Sequence, residues 1–261
     1  MKDLTIVVPL GVSSPGTPVL EFLNWSLNSL TKQETNFSYD IIVACDENVS
    51  EETKNILAEH KVVVKWYEPY YYMRRGGIWK KIHEQWELSN SKYIAFCHYD
   101  DVWEKNKIQS QLTLMENNSL DLSWSKVQAI NNSNSIVSSD LCRYDTLDKN
   151  SIRGGSYAFT HSSILKKDSF LACGISEKVE YATTIDEHLQ FIYSHKLKGM
   201  KDPNTIFYHR IHENSVSNQF NVEKEYMTEQ RKIVNYSLNQ AQIDGDSLNI
   251  DSLIRDIESS L

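Results

Sequence analysis

Short apolar runs alternate with helix-patterned stretches through the first half of this chain, and that alternation restricts the fold more than any other feature. Residues 4–8 are apolar, rich in β-branched side chains and closed by Pro9, the pattern of a short buried strand. Apolar residues then recur at Leu20, Leu23, Leu27 and Leu30, one face of a helix. Residues 41–45 read as a second buried strand, after which Ser50 is an N-cap with Thr53 and Ile56 behind it. Residues 62–64 give a third strand, and Ile78, Ile82 and Trp86 another helix. Residues 93–97 give a fourth strand, and Ile108, Leu112 and Met115 the helix after it. This order predicts an α/β fold with a mostly parallel, doubly wound central sheet and helices on both faces. Ligands of such sheets bind at the carboxyl ends of the strands, where the strand order reverses. Asp46 with Glu47, and His98-Tyr99-Asp100-Asp101, follow strands directly and are the residues to weigh.

The second half is less regular. Residues 122–130 read as a strand, 131–139 as an Asn/Ser-rich loop, 157–165 as strand-like and 205–210 as a last strand. Ile185, Leu189 and Ile192 have helical spacing. The tail from Val222 reads as two helices broken near Gly245, with Ile250, Leu253, Ile254 and Ile257 forming an apolar stripe. One domain over 1–220, divided near 115, and a helical extension over 221–261 are expected.

Composition excludes several functions. Asp+Glu 35 against Lys+Arg 27 gives a net charge of −8, which argues against a nucleic-acid polymer as partner. A small phosphate-bearing ligand needs only a local basic cluster. Glycine is scarce, at 9, and neither GxGxxG nor GxxxxGK[ST] occurs, so the dinucleotide fingerprint and the P-loop are both missing. Cys45, Cys97, Cys142 and Cys173 contain no CxxC pair and read as reduced thiols. No secretory leader pattern and no run of about 18 apolar residues is seen, which predicts a cytosolic protein free to touch the inner face of a membrane.

Four segments carry candidate chemistry. In His98-Tyr99-Asp100-Asp101, adjacent carboxylates at a strand end suit a hard divalent ion that also takes phosphate oxygens. The alternative is a helix cap, since Glu104 stands three positions after Asp101. Arg74-Arg75-Gly76-Gly77-Ile78-Trp79-Lys80-Lys81 places four cations at a helix start, an anion site or a solvated basic turn. Asp186 and Glu187 open a helix, where a carboxylate stays ionised as a general base or simply balances the dipole. His209 and His212 stand three apart, too little by itself for a metal site.

In this order, from about Leu4 to about Ser217, the segments resemble the family 2 glycosyltransferases of the GT-A fold. Residues 93–103, Tyr-Ile-Ala-Phe-Cys-His-Tyr-Asp-Asp-Val-Trp, align without gaps to the family's Tyr-Ile-x-Phe-Leu-Asp-x-Asp-Asp-x-Trp. Residues 41–46 resemble its strand ending in two aspartates, with Cys45 in place of the first. Tyr208 to Ser217 resembles its Tyr-Arg-x-His-x-x-Ser-Val-Ser. Other positions also depart from the pattern: Leu10-Gly11-Val12 replaces Thr-Tyr-Asn after Pro9, His98 replaces the first aspartate of the DxD motif, and Ile185 replaces a glutamate.

The resemblance implies an inverting transfer from a nucleotide-sugar, a UDP-sugar first, to a saccharide or lipid-linked acceptor in surface-polysaccharide or glycoconjugate synthesis. It implies a nucleotide-binding half over 1–115 and an acceptor half over 116–220. Donor contacts fall to Pro9, Asp46, Arg74, Arg75, Lys81, His98, Tyr99 and Asp100. Asp100, Asp101 and His212 hold a divalent metal, Mn²⁺ or Mg²⁺. Asp186 is the base with Glu187 as rival, and Trp103, His161 and Ser162 lie on the acceptor side. Peripheral membrane contact and self-association stay open. Two other readings stand beside it: a nucleotidyltransferase, weakened because residues 10–16 carry no Lys or Arg, and a GT-A-like binding module that has lost catalysis, favoured by His98 and Ile185.

Overall fold

The computed structural model describes residues 2–11, 19–69, 76–138, 141, 145–146, 160–172 and 197–212, with 76–79 and 160 as backbone only. Among the described residues, eight strands form one sheet in the order β3-β2-β1-β4-β7-β6-β8-β5. They are β1 (Leu4–Leu10), β2 (Tyr39–Asp46), β3 (Val63–Tyr67), β4 (Tyr93–Phe96), β5 (Val102–Trp103), β6 (Leu122–Ile130), β7 (Ser163–Lys166) and β8 (Gly199–Arg210). The helices flanking them are α1 (Leu20–Thr31), α2 (Glu51–Glu59), α3 (Gly76–Leu88), α4 (Lys107–Asn118) and α5 (Lys167–Leu171), with a 3₁₀ turn at Thr160–Ser162 before β7.

The first four strands are parallel, as the alternation predicts. β1 is buried at every position because it lies between β2 and β4 with helices over it. β1 runs on through Pro9 to Leu10 rather than stopping at the proline. The Val7 carbonyl accepts Cys97 N–H on the β4 side. Pro9, two residues on, faces the same side beyond the end of the β1–β4 ladder, so its missing N–H breaks nothing. Ser50 caps α2 as expected, its Oγ accepting Thr53 N–H at 3.2 Å.

The second half of the sheet is mixed. β7 pairs antiparallel with β4 and β6, whereas β6 and β8 are parallel. β8 begins at Gly199, six residues before the predicted strand, because an irregularity beside Ser125 and Lys126 absorbs Pro203. Within it Asp202 Oδ1 accepts Asn204 N–H at 2.9 Å, and Thr205 Oγ1 donates to Asp202 Oδ2 at 3.2 Å. The core runs through all of these elements, from Leu4 and Leu23 to Trp124 and Phe207. Cys45 and Cys97 are buried free thiols, and burial first, then the Asp46 charge, pushes Cys45 up to about 12. The predicted helices around Ile185 and beyond Val222 lie outside the described residues. No helix among the described residues is long and apolar enough to cross a membrane.

Candidate active site

β1 has β2 on one side and β4 on the other, so the strand order reverses there and leaves a crevice at the carboxyl ends. Gly11, Asp46 and the loop from Cys97 to Asp101 stand at that edge. The register sets Leu10 opposite Cys45, which brings Gly11 beside Asp46. A Cβ at Gly11 would overlap Asp46 Oδ2 and come within 2.8 Å of Asp46 Cγ and 3.3 Å of Lys81 Nζ. Only glycine leaves the Asp46 carboxylate this space. Lys81, on α3, forms an ion pair with Asp46, and both side chains are under a tenth exposed. The ammonium also lies 5.4 Å from the centre of the Tyr67 ring, whose hydroxyl accepts a hydrogen bond from Gln85 at 2.6 Å. Lys81 thus answers a carboxylate rather than standing open as part of a basic cluster. Arg74 and Arg75 lie outside the described residues.

The two adjacent aspartates face different partners. Asp100 Oδ2 accepts from His212 Nε2 at 2.9 Å. Burial works to raise the Asp100 carboxyl, but the His212 hydrogen bond and the charges of His98, His212 and His209 hold it below its ordinary value. Asp101, fully buried, accepts through Oδ1 from Arg210 N–H at 2.9 Å and His209 Nδ1 at 3.0 Å. Its Oδ2 is buried without a hydrogen-bond partner among the described residues. Burial opposes protonation of His209, yet Asp101 and Asp100 lift it above the ordinary histidine value. Among the described residues, Asp101 caps no helix. The N-cap position of α4 is Asn106, and Glu104 Oε2 instead accepts Ile206 N–H at 2.8 Å. β5 intervenes because Val102 and Trp103 pair with Tyr208 and Phe207.

Arg210 locks this arrangement. Its guanidinium donates to the carbonyls of Asp100 at 2.8 Å and Asn131 at 2.6 Å and to Asn134 Oδ1. It stacks 4.4 Å from the Phe22 ring centre and 4.9 Å from that of Trp25. His98 and His161 form a second ring cluster. Their centroids are 5.3 Å apart, and His161 lies 5.3 Å from His209 and 5.0 Å from Phe207.

Two residues expected on the acceptor side turn inward. Trp103 is 2% exposed, with the Lys107 ammonium 4.7 Å from its ring centre, and Ser162 is fully buried. The cause is Lys107, which the sequence pattern did not single out. Its fully buried ammonium donates to Ser162 carbonyl, Gln111 Oε1 and Ser125 Oγ, the last at 2.8 Å, and so draws the 3₁₀ turn and the Trp103 ring around it. Pro9 is buried in β1, and Tyr99 is half-buried against the core. Asp186 and Glu187 lie outside the described residues. His209, Lys107 and Arg210 are the functional candidates that pattern reading undervalued. The alternation of polar side chains over residues 208–212 was the available signal, but it does not say which carboxylate each histidine meets.

The donor set at Asp100 and His212, one ionised carboxylate oxygen and one imidazole nitrogen, is of a kind that fits a divalent ion. The family model for glycosyl transferase family 2 matches residues 20–171. A Rickettsia bellii protein named as an uncharacterized glycosyltransferase is 28% identical over 118 residues, 43% of this chain and 16% of that one. The crystal structure of S. aureus TarS 1–349 in complex with UDP-GlcNAc superposes with a TM-score of 0.62 at 15% identity, covering 82% of this chain and 60% of that one. The UDP complex of TarS 1–349 superposes with a TM-score of 0.60 at 16% identity, covering 81% of this chain and 61% of that one. The likeness to TarS is one of fold, and the chain spans less than two thirds of each of these relatives.

Proposed function

The chain belongs to glycosyl transferase family 2, and we propose that it transfers a sugar from a UDP-sugar to a hydroxyl of a saccharide or lipid-linked acceptor, with inversion. The observation that carries this reading is the Asp100–His212 pair beside the β1 crevice, in a chain whose residues 20–171 match the family. That TarS was solved with UDP and with UDP-GlcNAc supports a uridine nucleotide as the first donor to test.

Asp46, steadied by Lys81 and given room by Gly11, accepts from the nucleoside at the end of β2. Asp100 and His212 hold the divalent ion, which when bound neutralises charge on the leaving diphosphate. Asp186, assigned from sequence alone with Glu187 as its rival, removes the acceptor hydroxyl proton. That oxygen attacks the anomeric carbon, the bond to the diphosphate breaks, and UDP leaves with the electron pair. One displacement inverts the centre and needs no covalent intermediate. Surface-polysaccharide or glycoconjugate assembly at the inner face of a membrane is the setting this acceptor class suits.

The experiment is a panel of nucleotide-sugars with Mn²⁺ or Mg²⁺, with and without acceptors, read by mass spectrometry. UDP release from one UDP-sugar is expected. Release from no donor overturns the reading in favour of a binding module. An Asp186→Asn protein with full transferase activity removes Asp186 from the mechanism.

A further inference from the structure

We propose that Asp101, His161 and His209 form a second metal site, suited to a borderline transition-metal ion such as Zn²⁺ and separate from the Asp100–His212 pair. One imidazole nitrogen from each histidine and one Asp101 carboxylate oxygen lie within 4.8 Å of one another. The three come from different elements: the loop after β4, the 3₁₀ turn before β7, and β8. An independent observation points the same way. Asp101 is fully buried, and its Oδ2 has no hydrogen-bond partner among the described residues. Such an oxygen is costly to bury unless something positive meets it.

The donor set decides the kind of ion. Two imidazoles and one carboxylate are the ligand types of zinc, whereas magnesium and calcium favour oxygen alone. Ligand atoms around a tetrahedral zinc stand about 3.3 Å apart, so loading draws the group together by at most about 1.5 Å. The rings are placed for this small movement. His161 and His209 lie 5.3 Å apart by centroid with 35° between planes, and Phe207 backs His161 at 5.0 Å. The Arg210 N–H fixes the other Asp101 oxygen, as outer partners orient metal-binding carboxylates. His98, with its ring 5.3 Å from that of His161, connects the site to the position where the family's motif has aspartate.

Transfer chemistry as proposed above does not require this ion, and its binding is measured without donor or acceptor. Its failure therefore leaves the transferase reading standing, and failure of the donor panel leaves the site standing. The full chain, stripped with chelator, is titrated with Co²⁺ followed by absorption, and Zn²⁺ is then used in competition. One tight equivalent is expected, with Kd below about 10 μM. His161→Gln and His209→Gln each weaken it about tenfold or more, while Asp100→Asn and His212→Gln leave it in place. A Zn²⁺-dependent rise in Tm, present in the unsubstituted chain and absent in both folded histidine variants, gives a second reading. No tight equivalent, or one that disappears with Asp100→Asn and His212→Gln instead, overturns the proposal.

Discussion

His212 donates from Nε2 to Asp100 Oδ2 at 2.9 Å, tying the segment after β8 to the loop after β4. The two residues stand 112 apart in sequence. Their contact joins the family's DxD position to its histidine motif in one site. His212→Ala removes the partner that holds the Asp100 carboxyl low, along with one of the two donors proposed for the metal. Donor turnover is expected to fall about 100-fold, measured as UDP release at saturating metal.

Gly11→Ala tests the space around Asp46. The added methyl would overlap Asp46 Oδ2, and the Lys81 ion pair restrains the carboxylate from moving aside. Nucleotide affinity should drop about tenfold, the equivalent of about 1.4 kcal/mol, when UDP binding is followed by calorimetry. Unchanged UDP affinity would place the nucleoside contact away from Asp46.

His83 sits on α3 with 4% exposure between Trp86 and Phe170, and neither ring nitrogen has a hydrogen-bond partner among the described residues. Burial lowers it to about 4 from the ordinary 6.5. A depressed histidine is neutral in the fold while the unfolded chain takes up a proton below 6.5, so its share of stability is lost as pH falls from 6.5 towards 4. Between pH 7 and 5 this share amounts to about 2 kcal/mol. His83→Leu should remove that part of the acid sensitivity, seen as a smaller drop in urea midpoint between the two pH values.

Lys107→Met leaves the Ser162 carbonyl, Gln111 Oε1 and Ser125 Oγ without their buried donor. A loss of about 2–4 kcal/mol is expected in chemical denaturation, with little change in slope. Because Ser125 also bonds Thr205 at 3.0 Å, and Thr205 bonds Asp202, the damage should reach the β8 irregularity. Hydrogen exchange over residues 201–206 reads this directly. An undisturbed exchange pattern there would show that the ammonium does not organise this part of the sheet.

The order of strands and helices was legible because period and capping are local. Leu20, Leu23, Leu27 and Leu30 mark α1, and Ser50 caps α2 within a few residues of chain. Strand ends were less legible. Pro9 closes its strand in the sequence pattern and the last strand is expected only from residue 205, yet Pro9 and Pro203 each lie inside a strand, one beyond a ladder's end and the other in an irregularity. Local pattern also placed Asp46 and Asp100 at the sheet's carboxyl edge, since each follows an apolar run.

By itself, then, the sequence determined the α/β order, the edge where the candidate site residues gather and the motif that points to the family. Tertiary structure alone decided the pairings. His209 and His212 are three residues apart but reach different aspartates, because β8 ends between them and turns their rings to different carboxylates. Lys81, expected from the sequence as a donor contact, is paired with Asp46 in the fold, and Lys107 is drawn into the interior by acceptors up to 55 positions away. Such partners are chosen by packing across the folded sheet, where a buried charge must be met by whatever oxygen or cation the neighbouring element brings within reach.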